Sequence, residues 1–467
     1  MLNYFRINDP YRLISIFFFI LLVRLPFFLG WVDLSILELR WLLLGEKMAS
    51  GFVLYKEIWD NTGPLASGVY WILYEIFGRS YKVYHVLSMV LILYQSYIFN
   101  TILQENKAFK DYSYVPAFIF VLLYHLHADF FTLSPILMAN TFIILAIGNL
   151  FKRIEFKSKD ENIHNSGLYL GVASLFYFPA TVLFFFFLLS FAFFTSMVPR
   201  RYLLSFYGFL LPLLLAWTYF IFIGASREFY TCFIYSWAYI ETISYLNIYG
   251  VLIIISPLII VLFRSLINLF SSRGFSNLQT RLQQVMFLML FFCLVVFAMA
   301  KIRTAVHLLI FMIPFSFFVS HYFLFLKRSF LSELKLYLFI IGVLVVNYSI
   351  IFDAHWLNKI ADFSKTKVRT SAWEEVTRDK KVLVLGNDIN PYFHASLATP
   401  YLNWELSRIH FDNINYYDNL DHIYSYFMKD LPEIIIDSEG AMGRVFEHLP
   451  LLETKYVQNG DYYQLIE

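Results

Sequence analysis

The chain has 467 residues, of which 59% are hydrophobic, 21% aromatic and only 15% charged. A soluble domain carries about 25% charged residues and a disordered one is poor in apolar side chains, so both classes are excluded. The formal net charge of +2 conceals an uneven distribution. Residues 1–352 hold 25 Lys and Arg against 16 Asp and Glu, whereas residues 353–467 hold 11 against 18. A basic, charge-poor body is followed by an acidic tail of ordinary charge density. Cys232 and Cys293 are too few for a disulfide framework and show no metal-ligand spacing.

In chain order, the body reads as a series of bilayer spans. A spanning helix needs about 20 mostly apolar residues. Such runs fall at 11–30, 81–103, 114–129, 133–151, 180–196, 203–223, 249–266, 284–300, 304–326 and 336–352. The shorter segment GLYLGVASLFY, 167–177, brings the total to ten or eleven. The first run carries Arg24 and has no small-x-small cleavage site, so it is read as a retained span. With a cytoplasmic N-terminus and 167–177 counted as a crossing, 16 Lys and Arg fall on one side and 8 on the other. The positive-inside rule then places the 31–80 segment and the tail outside the cell (inner) membrane.

The segment after the first span carries the candidate chemistry. Asp33, Glu38, Glu57 and Asp60 lie within 28 residues just outside a membrane helix. Residues 34–49 read as an amphipathic interfacial helix, and Gly63-Pro64-Leu65 opens another apolar helix. Carboxylates at a membrane surface suit a general base acting on a hydroxyl or amine beside a lipid-borne group. The plainer reading is that they solvate an external loop. In YHLHADFFTLSP (124–135), His125, His127 and Asp129 cluster without a catalytic zinc pattern, and the loop is read as contacting substrate or the tail. KRIEFKSKDENIHNS (152–166) is short and mixed in charge, a topology anchor and not a nucleic-acid site.

After Asp353 the texture becomes that of a small α/β module. KKVLVLGND (380–388) reads as a buried strand and turn, LDHIYSYFMKDLP (420–432) as a helix, and EIIIDSEG (433–440) and the closing YYQLIE as further strands. One glycine after VLVL is no dinucleotide fingerprint. The expected architecture is a polytopic α-helical membrane domain over 1–352, including an outer-face loop at 31–80, and a small extracytoplasmic α/β domain over 353–467.

Several segments together carry a family likeness. Glu38, Trp41, Ala49, Gly51, Leu54-Tyr55, Asp60, Gly63-Pro64-Leu65, Tyr70-Trp71 and Phe77-Gly78 form one run. GLYLGVASLFYFPA (167–180) and KIRTAVHLLIFMIP (301–314) form two more. This layout resembles the GT-C-fold membrane glycosyltransferases, particularly bacterial relatives of protein O-mannosyltransferases and of the lipid A aminoarabinose transferase. The resemblance implies a GT-C-like fold of about 10–11 spans. It also implies transfer of a sugar, with inversion, from a polyprenyl-phosphate donor to a lipid, glycan or protein acceptor on the outer face.

On that resemblance, Glu38 is the expected catalytic carboxylate, Asp33 its substitute, and Asp60 a group that orients the acceptor or an ion. Apolar neighbours in ILELRW would desolvate Glu38 and favour proton transfer; pairing with Arg40 or capping a helix is the alternative. Lys301 and Arg303 are expected at the donor phosphate, with His307 one turn below adding a hydrogen bond, although interfacial snorkelling accounts for the two cations equally. Asp129 joins the substrate-contacting set. No cofactor is specified, and a divalent metal is left open.

The chain departs from the family pattern in three places. Leu37 stands where the family carries the aspartate of its acidic pair, Tyr177 and Phe178 stand where a lysine is common, and Gly63 replaces one proline. An alternative function is therefore a catalytically inactive GT-C-like scaffold of an envelope assembly. A transporter fits less well, because most charges sit at span ends.

Overall fold

The structure is a computed structural model that describes residues 1–155, 159–195, 198–271, 275–369 and 371–466. Residues 156–158 of the mixed-charge 152–166 loop, the end of the 180–196 run and Arg273 lie outside the described residues. The chain divides into two compact units. The first comprises Met1–Asp33, Lys82–Ala216 and Thr242–Lys365, and the second Leu34–Tyr81, Trp217–Glu241 and Thr366–Glu467.

The protein is a multi-pass membrane protein. Seven helices among the described residues are long and apolar enough to cross a bilayer: Tyr81–Glu105, Pro135–Ile154, Pro199–Phe222, Ile248–Ile267, Asn277–Met299, Ala305–Phe325 and Phe330–Ile351. Arg12–Val23 and Phe178–Phe194 are apolar but shorter. The difference from ten or eleven has local causes. The 11–30 run breaks at Arg24 into Arg12–Val23 and Leu25–Phe28, and the 114–129 run stays helical only over Val115–Leu123.

Helix starts follow from the sequence. Ser134 caps Pro135–Ile154 by accepting from the Leu137 amide, with proline at the first position. Ser276 and Gln279 form a reciprocal capping box at the start of Asn277–Met299. The phenylalanine-rich helix Val182–Phe194 is two-faced. Phe185 and Phe193 are exposed, whereas Phe184, Phe186, Phe187 and Phe191 are buried, as helical spacing dictates.

The Gly-x-x-x-Gly-x-Ala segment has a packing reason. A Cβ on Gly167 would lie 2.0 Å from the Ser205 carbonyl oxygen, and one on Gly171 2.4 Å from that of Phe209. Asp160–Phe176 thus crosses Pro199–Phe222 in backbone contact, which only glycine permits. In the same unit, two short strands, β1 (Ile243–Ser244) and β2 (Ile302–Arg303), pair in parallel.

The second unit holds a five-stranded sheet built from β3 (Lys381–Leu385), β4 (Ser396–Leu397), β5 (Ile434–Asp437), β6 (Tyr456–Asn459) and β7 (Tyr462–Leu465). Its order is β4-β3-β5-β7-β6. β3 is parallel to β4 and β5, and β7 runs antiparallel to β5 and β6. Leu383, Leu385 and Ile435 pack against Trp404, Phe411, Ile423, Phe427, Val445 and Phe446, forming an ordinary α/β core. The expected strand, helix and strand all form, the helix over Tyr417–Lys429.

Two further helices belong to this unit, Ile36–Ala49 and Pro64–Phe77. They pack closely: a Cβ on Gly45 would meet the Tyr70 carbonyl oxygen at 2.6 Å, and the Trp41 and Tyr70 rings stack at 5.7 Å. Sequence reasoning gives Ile36–Ala49 one polar face. In the structure Glu38, Arg40 and Lys47 are buried along with the leucines; Arg40 pairs with Asp60 and Lys47 with Asp430 inside the unit.

Candidate functional site

The first of these pairs lies at the 53–62 loop. Asp60 is fully buried and accepts from Arg40 Nε at 2.7 Å, with Arg40 Nη2 at 2.5 Å. Arg40 also donates to Asn61 Oδ1 at 3.3 Å, and the second Asp60 oxygen accepts the Thr62 amide at 2.7 Å. Tyr55 closes the loop by donating to the Thr62 carbonyl at 2.7 Å. It holds a positive φ of 64°, a strained conformation for an aromatic residue. Asp60 is thus a clamp for Arg40.

Glu38 sits two residues before Arg40, at the third position of its helix. Ser35 caps that helix by accepting the Glu38 amide at 3.2 Å. The Glu38 side chain is 2% exposed between buried Leu37 and Leu39, the apolar setting that ILELRW implies. The positive helix end favours a carboxylate at this position. Arg40, a candidate partner in the sequence, pairs with Asp60.

Other charges of the segment are spent on structure. Lys47 binds the Leu397 carbonyl at 2.9 Å and forms a buried ion pair with Asp430. Asp430 also accepts from Lys381 at 2.9 Å and from the Thr399 amide at 3.0 Å. Burial alone would raise the Asp430 carboxyl, but the hydrogen bonds from Lys47 and Lys381 hold it below the usual carboxylate range. Burial lowers the Lys47 ammonium. Glu57 pairs with Lys429 and accepts the Val53 amide at 2.9 Å.

The remaining sequence-selected residues belong to the first unit. Asp33 is exposed at its edge. Lys301 and Arg303 are half-buried on either side of Ile302. The Ile243 amide binds the Lys301 carbonyl at 2.8 Å, and the Tyr245 amide binds the Arg303 carbonyl at 3.1 Å. The backbone of both cations is thereby fixed. Burial, then the neighbouring Arg303 charge, lowers the Lys301 ammonium. His307 is buried as the third residue of a capping box with Thr304, its Nδ1 3.4 Å from the Thr304 hydroxyl.

The His-x-His-x-Asp group is divided by the structure. His127 Nδ1 accepts the Asp129 amide at 3.0 Å and lies 3.7 Å from its carboxylate. His125 turns to Arg24, whose Nε donates to His125 Nε2 at 3.1 Å. Among the described residues, no three His, Cys, Asp or Glu side chains gather as a metal site.

In the sequence Arg24 is only a charge within an apolar run. It is wholly buried and also donates to Ser88 Oγ at 2.7 Å, the His85 carbonyl at 2.9 Å and the Phe131 carbonyl at 3.1 Å. Through Nε and Nη1, both bonded to neutral acceptors, it ties three segments together. A second feature without a sequence motif is a cavity of about 730 Å³ in the second unit, lined from Trp59, the 227–235 segment and the 409–422 segment.

No curated protein matches the sequence. Among solved structures, the chain is similar to ArnT from Cupriavidus metallidurans bound to undecaprenyl phosphate, at a TM-score of 0.61 and 11% identity over 98% of each chain. It is also similar to the apo state of that ArnT, at a TM-score of 0.57 and 10% identity over 95% of this chain and 97% of the other. The expected GT-C fold is the fold of this protein. A family model described as a family of unknown function, DUF6427, matches residues 67–354, more than half of the chain, and the chain belongs to that family.

Proposed function

We propose that the protein transfers a sugar, with inversion, from a polyprenyl-phosphate donor to an envelope acceptor on the outer face of the cell membrane. The observation that carries this reading is the fold match over 98% of both chains with an ArnT bound to undecaprenyl phosphate. Glu38 is the proposed base, being buried and at a helix start. It would take the acceptor hydroxyl proton while that oxygen attacks the anomeric carbon opposite the leaving phosphate. Asp33 is the alternative base, and Asp60 positions the segment through Arg40. Lys301 and Arg303 are the proposed donor-phosphate ligands, because a guanidinium stays charged and binds two phosphate oxygens. His307 and Asp129 are proposed to shape the substrate region.

Donor binding tests this assignment. Arg303→Ala should weaken binding of undecaprenyl phosphate by about 1.5–3 kcal/mol, the usual value of a charge-assisted hydrogen bond. Lys327→Ala, on the proposed cytoplasmic side, should leave it unchanged. Equal effects of the two substitutions in a binding titration would remove Arg303 from the site.

The orientation is proposed from the charge bias. Ser438 follows β5 and is exposed, whereas both native cysteines are buried. Ser438→Cys should therefore react with a membrane-impermeant thiol reagent in spheroplasts, well above the parent's background. Labelling only after permeabilisation would reverse the topology.

A scaffold without activity is the second reading. Leu37 at the family's aspartate position favours it.

A further inference from the structure

The cavity in the second unit is built from three segments far apart in sequence. Trp59 is pinned on both sides, its amide bonded to the Pro400 carbonyl at 2.8 Å and its carbonyl to the Asn403 amide at 3.1 Å. Its ring meets His410 edge-on at 4.3 Å. On the opposite segment, the helix widens into a π-turn over Tyr230–Tyr235. Five residues apart, Tyr230 and Tyr235 then stack at 6.2 Å with an interplanar angle of 16°. Both rings are nearly half exposed, and Tyr416 is 68% exposed. Single π-turns recur at functional sites, and here the turn aligns two aromatic faces on the cavity.

The polar lining has a definite sense. His410 is 7% exposed, and its Nδ1 lies 3.0 Å from Asn419 Oδ1. The Asn419 amide nitrogen donates to the Asn413 carbonyl at 2.8 Å, which fixes the amide oxygen toward the ring. Nδ1 therefore carries the proton, leaving Nε2 as an acceptor. That Nε2 is buried without a hydrogen-bond partner. Burial keeps the ring neutral, pushing its pKa down to about 4 against the Asn419 hydrogen bond. Such an acceptor calls for a donor from an occupant, because an unmet buried polar atom is costly.

The charges of the lining narrow the occupant. Among the described residues of the lining, Arg227 is the single permanent cation, against Glu228 and Asp418. A phosphorylated or polyanionic ligand is disfavoured by that balance, whereas hydroxyl donors are welcomed by two carboxylates and His410 Nε2. Exposed aromatic faces beside hydroxyl acceptors match a pyranose, which has an apolar C–H face and a rim of hydroxyls. The volume of about 730 Å³ lies within the range of about 300–1,000 Å³ typical of ligand pockets.

We propose that this cavity binds an uncharged glycan, and that this glycan is the acceptor of the transfer reaction. The acceptor role rests on the sugar-transfer reading; the glycan-binding role does not. Trp59 immediately precedes Asp60, whose partner Arg40 lies two residues beyond Glu38. The cavity wall and the proposed base thus share one loop and helix of the same unit.

The test uses the full-length protein in nanodiscs and neutral tri- to pentasaccharides of hexose and N-acetylhexosamine units, read by calorimetry and saturation-transfer NMR. At least one oligosaccharide should bind. Tyr416→Ala, an exposed site that folding tolerates, and His410→Leu should each weaken it tenfold or more. No binding by any of the set, unchanged binding in Tyr416→Ala, or preference for a phosphorylated glycan would overturn the proposal. Undecaprenyl phosphate is titrated in parallel. Oligosaccharide binding without undecaprenyl phosphate binding would support the glycan site and overturn its acceptor role. The reverse would overturn the glycan site and leave the transferase reading standing.

Discussion

Glu38→Gln is expected to abolish measurable sugar transfer while leaving the protein folded and able to bind donor lipid. Loss of general-base assistance slows turnover by about 10²–10⁴-fold, and the amide retains the shape of the side chain. The substitution keeps the Ser35 cap, which bonds the backbone amide of residue 38 and not its side chain. Folding should therefore change little beyond the loss of a carboxylate at a helix start, worth about 0.3–1 kcal/mol. Transfer rates and thermal unfolding, measured on the same preparation, separate the two effects. If Glu38→Gln transfers normally and Asp33→Asn does not, Asp33 is the base. If both variants match an active parent, neither carboxylate is the base.

Asp60→Ala should act on stability first. It would leave Arg40, 6% exposed, without its carboxylate. Breaking a buried pair from one side costs about 3–5 kcal/mol, a large share of a typical total of about 5–15 kcal/mol. Asn61 Oδ1 at 3.3 Å is a poor replacement. Asp60→Ala combined with Arg40→Met should recover part of the loss, because no charge is then stranded. Denaturant unfolding of the purified protein checks both variants. A cost below about 1 kcal/mol for Asp60→Ala would mean that water reaches Arg40.

The fold was legible because its strongest signals are local. Apolar runs of span length, the Gly63-Pro64 helix start and the VLVL and EIII strands each act within a few residues. The GLYLGVA segment was legible as a motif, although its cause, backbone contact with Ser205 and Phe209, is tertiary. The burial of Glu38 followed from its leucine neighbours. What escaped was chosen by partners distant in the chain. Arg40 bonds Asp60 across a helix and a loop, His125 is drawn from His127 toward Arg24, and Lys47 reaches Asp430. The cavity escaped most completely, since Trp59, Tyr230 and His410 come together only on folding. The composition of NINYYDN (413–419) was its one local trace.

The central claim is that this chain moves a sugar from a polyprenyl phosphate. Its most direct test is to incubate purified protein in nanodiscs with undecaprenyl-phosphate-linked radiolabelled sugars and an envelope extract, and to follow the label. The account predicts label leaving the lipid for an acceptor in the parent and staying on the lipid with Glu38→Gln. Label that stays on the lipid with the parent, under conditions where undecaprenyl phosphate binds, would contradict it and make the protein a scaffold.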